Sequence, residues 1–279
     1  EQTADHADRL ILSSPVLSPD KYDRLMGVDS PRYPKALIDL SYDPSQKSLK
    51  QAVADVATAA EEAVRSGKVI LILSDRKLEP GLLSVHSLLA TGAVHHHLIK
   101  QGLRCSANLV IESGTARDSH QMACLFGFGA TAVYPYMSFA VLSDMLACGE
   151  ILGDEQTTWG NYVKGINKGL LKIMSKMGIS THQSYCGAQI FDAIGLSSDF
   201  IDAYFTKTAS AIEGVGLEEI AEETVKRHIN AFGDDPVLRD DLDVGGELAF
   251  RIRGEEHMWA PETISKLQHS ARQNSQEIY

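Results

Sequence analysis

Four short stretches of the chain end in side chains of the kind that move protons or hold ions. Asp75 and Arg76 follow KVILILS (68–74), and Glu112 closes ANLVIES (107–113), with Arg117 and His120 just beyond. Tyr134 lies near the end of TAVYPY (131–136), and Ser184 and Tyr185 end ISTHQSY (179–185). If these stretches are parallel strands, their C-terminal ends share one face, where (β/α) folds carry their catalytic groups. Carboxylates, guanidinium groups, an imidazole and phenols gathered there could transfer protons or hold a small anion. The same residues could equally form buried ion pairs and hydrogen bonds that close the end of the fold. No nucleophile–base pairing, phosphate loop or metal-ligand spacing separates these alternatives. His95, His96 and His97 are consecutive, so on a helix they point about 100° apart and cannot close on one metal. Cys105, Cys124, Cys148 and Cys186 form no CxxC pair and fit free thiols in a reducing compartment.

Lys164, Lys168, Lys172 and Lys176 recur every four residues, a slowly drifting stripe on one helix. Like charges at that spacing repel. The stripe is either a solvated face or a docking surface for an acidic domain or polyanion.

The elements that would position these groups alternate. Ser48 to Gly67 reads as a helix: Leu49, Val53, Val56, Ala60 and Val64 form one apolar stripe, Ser48 and Gln51 fit a capping box, and Gly67 fits the stop. KVILILS is short and apolar, as suits a strand buried on both faces. The same helix-then-strand order recurs: 82–101 before ANLVIES, 118–126 before TAVYPY, and 161–177 before ISTHQSY, with ALIDLSY (36–42) as an earlier strand. This alternation predicts an α/β fold with a mainly parallel sheet and helical crossovers. Such a sheet is either a degenerate (β/α) barrel or an open doubly wound sheet. No glycine fingerprint follows KVILILS, which favours the barrel-like form. Leu217 to Ile229 is amphipathic and helical, the stretch after it is acidic and turn-rich, and one helix is expected near Pro261. The organisation read from this is one α/β domain over 1–246 and a connecting segment over 247–279.

The chain has 279 residues, 44% of them apolar, and a net charge of −11. It can bury a large core, and its acidity argues against nucleic-acid and membrane-surface partners. No apolar run approaches the roughly 20 residues needed to span a bilayer. A polar, acidic N-terminus without an initiator Met has no signal-peptide shape and reads as that of an excised domain. With the scattered cysteines, these features point to the cytoplasm or an equivalent reducing interior.

Several runs taken in order resemble one family. They are DRKL at 75–78, GAVHHHLI at 92–99, ESG with AR and H within 112–120, and GFGATAVYPY at 127–136. NKGLLKIMSKMGIST at 167–181, SYCGAQIFDAIGL at 184–196 and EGVGLEEIA at 213–221 complete the series. The set resembles the central domain of the glutamate synthase large subunit over nearly the whole chain. The resemblance implies an α/β topology related to a flavin barrel, and an inter-domain structural role. It implies as partners an amidotransferase domain that releases ammonia and an FMN and [3Fe-4S] domain that reduces iminoglutarate. It implies no catalytic residue, cofactor or metal in this chain. Pro15, Val16 and Leu17, in SSPVL, resemble the stretch where the central domain meets the ammonia tunnel. Cys186 stands where relatives usually carry Arg, so an ionic role there does not carry over. The alternative from the residues alone is a free-standing (β/α) enzyme or small-anion-binding domain with a site at the strand ends.

Overall fold

The computed structural model describes residues 9–188, 190–233, 244–246 and 249–279. The expected stripe and stop of the second helix are present, and the capping box is half formed, because the Gln51 side chain donates to Asp55 Oδ1 at 2.8 Å instead of turning back to Ser48. In α2 (Leu49–Arg65), which follows α1 (Pro19–Gly27), the Ser48 hydroxyl accepts the Gln51 N–H, and Leu49, Val53, Val56, Ala60 and Val64 are buried. Gly67 follows with φ +88°, a left-handed value that favours glycine after a helix.

Four parallel strands form the main sheet: β1 (Lys35–Asp39), β3 (Ile70–Ser74), β5 (Asn108–Glu112) and β6 (Ala132–Tyr134), in that spatial order. Between β1 and β3 in the chain lies β2 (Ser41–Tyr42), which pairs antiparallel with β4 (Leu83–Ser84). The crossovers are α2, α3 (Ser87–Lys100) and α4 (Ser119–Gly127). Every residue of β3 is buried, as its unbroken apolar run requires. Strand order follows chain order without the reversal that defines a doubly wound sheet, so the barrel-like topology is the one adopted.

The sheet stops short of a barrel, and the N-terminal segment shows why. Leu17 N–H donates to the Val133 carbonyl at 2.9 Å and Val133 N–H donates to the Pro15 carbonyl at 2.8 Å. Residues 15–17 therefore run parallel to β6 and take the place a further barrel strand would need. One face of the sheet, with Val16, Ile38, Leu71, Leu73, Leu109, Ile111 and Val133, packs on α2, α3 and α4. The other face, which a closed barrel would turn inward, is filled by Tyr22 and Leu25 of α1 and by Tyr136 and Phe139 of α5 (Tyr136–Ala147).

The sheet is followed by α6 (Glu155–Lys176), started by the Asp154 side chain, which accepts the Thr157 N–H. ISTHQSY was expected to be a strand, but it forms the short helix α7 (His182–Tyr185). The cause is local: the Thr181 hydroxyl accepts the Ser184 N–H and nucleates a turn, which outweighs the β propensity of Ile179 and Thr181. A second βαβ unit follows, with β7 (Asp192–Leu196), α8 (Ser198–Tyr204) and β8 (Ala209–Val215). Its two parallel strands form a separate ribbon. The helix α9 (Leu217–Phe232) covers the stretch predicted from Leu217 to Ile229.

The chain divides into two compact units, Glu1–Val225 and Lys226–Tyr279. The second unit holds α10 (Pro261–Gln273), which ends on Asn274 in the left-handed conformation. Most of the expected acidic loop lies outside the described residues.

Candidate functional site

β3, β5 and β6 run in register, Ser74 beside Glu112 and Glu112 beside Tyr134, so their C-terminal ends are level. This brings together Asp75, Arg76, Glu112 and Tyr134. Glu112 is buried, and its carboxylate accepts from Ser74 Oγ at 2.6 Å and from Arg76 Nη1 at 2.9 Å. Tyr22, reaching over from α1, places its phenol against the same carboxylate and stacks on Tyr134 with ring centroids 4.2 Å apart. The Arg76 guanidinium lies 5.1 Å from the centre of the Tyr136 ring, and its side chain is 57% exposed. It is the solvent-facing lid of the cluster.

Asp75 is buried alongside. One carboxylate oxygen accepts Ser113 Oγ–H at 2.8 Å, and the other accepts the Gly114 N–H at 2.8 Å. Ser113 Oγ also lies 3.1 Å from Ser87 Oγ and 3.0 Å from Thr115 Oγ1, a hydroxyl chain leading to α3. Burial raises the Asp75 carboxyl above the usual carboxylate range. The Gly114 and Ser113 hydrogen bonds oppose that rise, and the nearby Glu112 charge adds to it. Burial likewise raises the Tyr22 and Tyr136 phenols, with a carboxylate neighbour adding to each. These hydroxyls stay protonated and act as donors.

Chemically, the cluster satisfies itself. The donors that could cradle an anion, Ser113 Oγ and Gly114 N–H, are taken by Asp75, and two carboxylates stand against one guanidinium. That set does not fit a flavin phosphate, which needs free backbone donors and a positive field. Nor does any group of Cys, His, Asp and Glu among the described residues have the arrangement to hold a metal. Cys105 and Cys148 are exposed, while burial pushes the Cys124 and Cys186 thiols up to about 11, the reverse of a ligating or nucleophilic cysteine. The purified chain is expected to be colourless when prepared with excess FMN and desalted. A retained yellow band with flavin absorbance would overturn this reading of the strand ends.

The other sequence-expected residues lie apart from this cluster. Arg117 follows β5 at the same end, but its side chain is exposed; its N–H donates to Gln121 Oε1 and its carbonyl accepts the Tyr162 hydroxyl. His120 is on the first turn of α4, exposed, with Nε2 3.7 Å from Cys124 Sγ. Ser184 and Tyr185 are not at the C-terminal strand ends, because their segment is helical. α7 sits at the opposite end of the sheet, with His182 Nε2 3.1 Å from the carbonyl of Thr131, the residue just before β6. Tyr185 is buried there in the core, and burial pushes its hydroxyl up to about 12. Of the three histidines, His97 pairs with Glu61 at 2.7 Å. His95 accepts Arg104 Nε–H at 2.9 Å and is lowered to about 4 by burial, so it is neutral.

Pro15, Val16 and Leu17 form the β6-side margin of the sheet, with Val16 and Leu17 fully buried on its two opposite faces. Pro15 is half-buried and lines a cavity of about 270 Å³ with Phe126, Leu170, Leu171 and Met174 and with the polar Ser13, Ser14, Asn167, Ser180 and His182. Lys164, Lys168, Lys172 and Lys176 are all exposed on α6. The first two border a groove of about 570 Å³ together with Lys21 and Arg24 of α1. Sequence reasoning missed Tyr22, Ser74 and Ser113. The two serines were visible as the last residues of KVILILS and ANLVIES, whereas Tyr22 carried no signal.

Fold and site define a degenerate (β/α) barrel domain whose strand ends are closed by a self-satisfied polar cluster. The family described as glutamate synthase central domain matches residues 1–197. The chain is 40% identical to the glutamate synthase [NADPH] large chain of Bacillus subtilis over 97% of its length. It is 41% identical to the chloroplastic/mitochondrial ferredoxin-dependent glutamate synthase 1 of Arabidopsis thaliana over 99%. It is 35% identical to the glutamate synthase [NADH] of Saccharomyces cerevisiae over 98%. The chain belongs to the glutamate synthase central-domain family. It spans 18%, 18% and 13% of the lengths of these three relatives.

Among solved structures, a mutant flavocytochrome b2 with benzoylformate aligns at a TM-score of 0.38 and 15% identity, over 48% of this chain and 31% of that one. A DHODH from Eimeria tenella with ferulenol aligns at 0.37 and 14%, over 55% and 38%. Overlaps this loose add nothing to the argument. No described helix is long and apolar enough to cross a membrane.

Proposed function

We propose that this chain is the structural inter-domain module of a glutamate synthase, joining the glutamine amidotransferase domain to the FMN and iron–sulfur domain and helping to form the ammonia tunnel. The parent reaction is conversion of L-glutamine, 2-oxoglutarate and reductant to two L-glutamate, and the chain alone is inactive. It acts in the cytoplasm, or in an organelle stroma in plants. The observation that carries the reading is the strand-end cluster. Where a catalytic (β/α) domain would keep open donors and a reactive group, this one spends each on its neighbours. The cavity beside Pro15 supports the tunnel part, because its wall mixes apolar with neutral polar side chains and carries no carboxylate, lysine or arginine, so it admits neutral ammonia while disfavouring ions. The same cluster counts against the alternative of a small-anion-binding domain, since buried carboxylates repel an anion.

In this reading the exposed lysines of α6 dock acidic surfaces of neighbouring domains. Exposed pairs are worth about 0–1 kcal/mol each, so the effect must come from the sum over an interface. The test is Lys168→Glu with Lys172→Glu. The isolated chain should keep its melting temperature within a few degrees. In the full-length synthase, coupling of glutamine hydrolysis to glutamate formation should weaken, and more so as salt is lowered, because the reversed charges then repel unscreened. Unchanged coupling at low salt would remove the docking role.

A further inference from the structure

The two margins of the main sheet are treated differently. Residues 15–17 cover β6, while β1 ends the other side with no strand beside it among the described residues. Which backbone groups it leaves open follows from the ladder. The Pro34 carbonyl accepts Val69 N–H at 3.0 Å and Leu40 N–H donates to the Ser74 carbonyl at 2.9 Å, so even-numbered residues face β3. In a parallel ladder, alternate residues use the two sides. Lys35, Leu37 and Asp39 therefore turn their N–H and C=O groups outward.

This edge lacks the usual guards. Natural sheets blunt free edges with proline, bulges or outward charges. β1 has neither proline nor bulge, and it pairs with β3 without a register shift. Its two charges are drawn away from the edge: Lys35 Nζ donates to the Val28 carbonyl, and the Asp39 carboxylate accepts Ser41 N–H at 2.8 Å. Leu37 in the middle is 57% exposed. Alongside runs a groove of about 340 Å³ between β1 and α2. Its α2 wall is Ala52, Asp55, Val56, Ala59 and Ala63, and the Lys47–Asp55 ion pair, 2.6 Å, is part of the lining. Room for side chains lies directly beside open backbone donors and acceptors.

We propose that the β1 edge is a strand-addition site that takes an extended segment of the parent synthase polypeptide, with apolar side chains at alternate positions entering the groove over α2. Only an extended backbone matches a row of alternating donors and acceptors; Ala52, Val56, Ala59 and Ala63 take apolar side chains, and the Lys47–Asp55 charges in the same lining are spent on each other. The occupant comes from the same polypeptide because most of it lies outside this chain: the relatives are matched over only 13–18% of their length. A tethered segment meets the edge at an effective concentration in the millimolar range for a short flexible connection, ahead of a second molecule. The inference rests on the inter-domain reading above.

Hydrogen exchange tests it, comparing the 279-residue chain with the full-length synthase. The outward amides of residues 35, 37 and 39 should exchange fast in the chain alone and at least on the order of 100-fold more slowly in the full enzyme. The amides of Ala36 and Ile38, bonded to β3, should be protected in both. Leu37→Pro deletes an outward N–H only, so the isolated chain should fold normally while the full-length variant loses protection at residues 35 and 39. Equal, fast exchange of the outward amides in both proteins would overturn the proposal. So would protection that grows with concentration of the isolated chain, which would assign the edge to a second copy, or unfolding of the isolated Leu37→Pro chain. A free edge alongside weakened coupling in the Lys168/Lys172 reversal would sink the edge alone and leave the inter-domain role standing.

Discussion

Leu17→Asp should unfold this chain. Leu17 has no exposed surface and packs with Tyr22, Leu25, Ile72, Val110, Ala132 and Tyr134 on the sheet face that α1 covers. Removing its side chain alone, as in Leu17→Ala, costs about 2–5 kcal/mol through lost burial and an unfilled cavity. An aspartate there adds an unpaired carboxylate in an apolar layer, which must either stay charged at a cost of several kcal/mol or take up a proton. The sum is on the order of 5 kcal/mol or more, against a total stability of about 5–15 kcal/mol for a typical domain. Urea denaturation at neutral pH should find the variant unfolded or nearly so without denaturant, with Leu17→Ala folded but weakened. A Leu17→Asp chain with a stability within about 1 kcal/mol of the wild type, the size of an ordinary surface change, would mean that the N-terminal segment does not pack on β6 as described. Loss of ammonia coupling in a full-length Leu17→Asp enzyme therefore reports unfolding and not the tunnel. Leu171, largely exposed at the cavity beside Pro15, is the better probe, since enlarging or charging it leaves the sheet intact.

What could be read from the sequence divides along the range of the forces involved. α2 and β3 were legible because stripe, cap, glycine stop and apolar run are all local, and local signals agreed. The strand-end group Asp75, Arg76, Glu112 and Tyr134 followed from one further rule, that parallel strands end together. The rule failed for Ser184 and Tyr185 because their premise failed. A single threonine hydroxyl turning onto the Ser184 N–H outweighed a β-like composition. α5 showed no helical pattern, since YMSFAVLSDMLA is apolar almost all round. Tyr22 was invisible for a different reason. Its place against Glu112 depends on α1 folding across the sheet, and nothing near residue 22 encodes where residue 112 will be. The unguarded β1 edge shares that character, for a strand's neighbours are a property of topology.

The two buried carboxylates should respond in opposite ways to loss of charge. Glu112 is the acceptor on which Ser74, Arg76 and Tyr22 converge, so Glu112→Ala strands three donors. Each stranded buried donor costs about 1–3 kcal/mol, with Arg76 at the low end because its side chain is half in water. A loss of about 3–7 kcal/mol is expected from that sum. Asp75 differs because its folded carboxyl titrates above the unfolded one. Between those two values the folded state holds more protons than the unfolded state, so stability falls as pH rises through that window and the penalty is complete above it. Asp75→Asn removes the penalty and keeps the shape. Its amide oxygen can accept the Gly114 N–H, and its NH₂ can donate to Ser113 Oγ, which then donates onward to Ser87 or Thr115. The expected results are a melting temperature at pH 7 equal to the wild type or a few degrees above it, and a shallower decline from acid to neutral pH. Thermal melts over a pH series that starts below the ordinary carboxylate range and rises to neutral decide the matter. If Asp75→Asn loses as much as Glu112→Ala at pH 7, the Asp75 charge is stabilising and burial does not dominate it. The pair also separates structural from catalytic roles in the full-length synthase. With a structural cluster, Asp75→Asn leaves glutamate formation per folded enzyme unchanged. A drop in kcat for folded Asp75→Asn, with unchanged melting, would place this carboxylate in the chemistry after all.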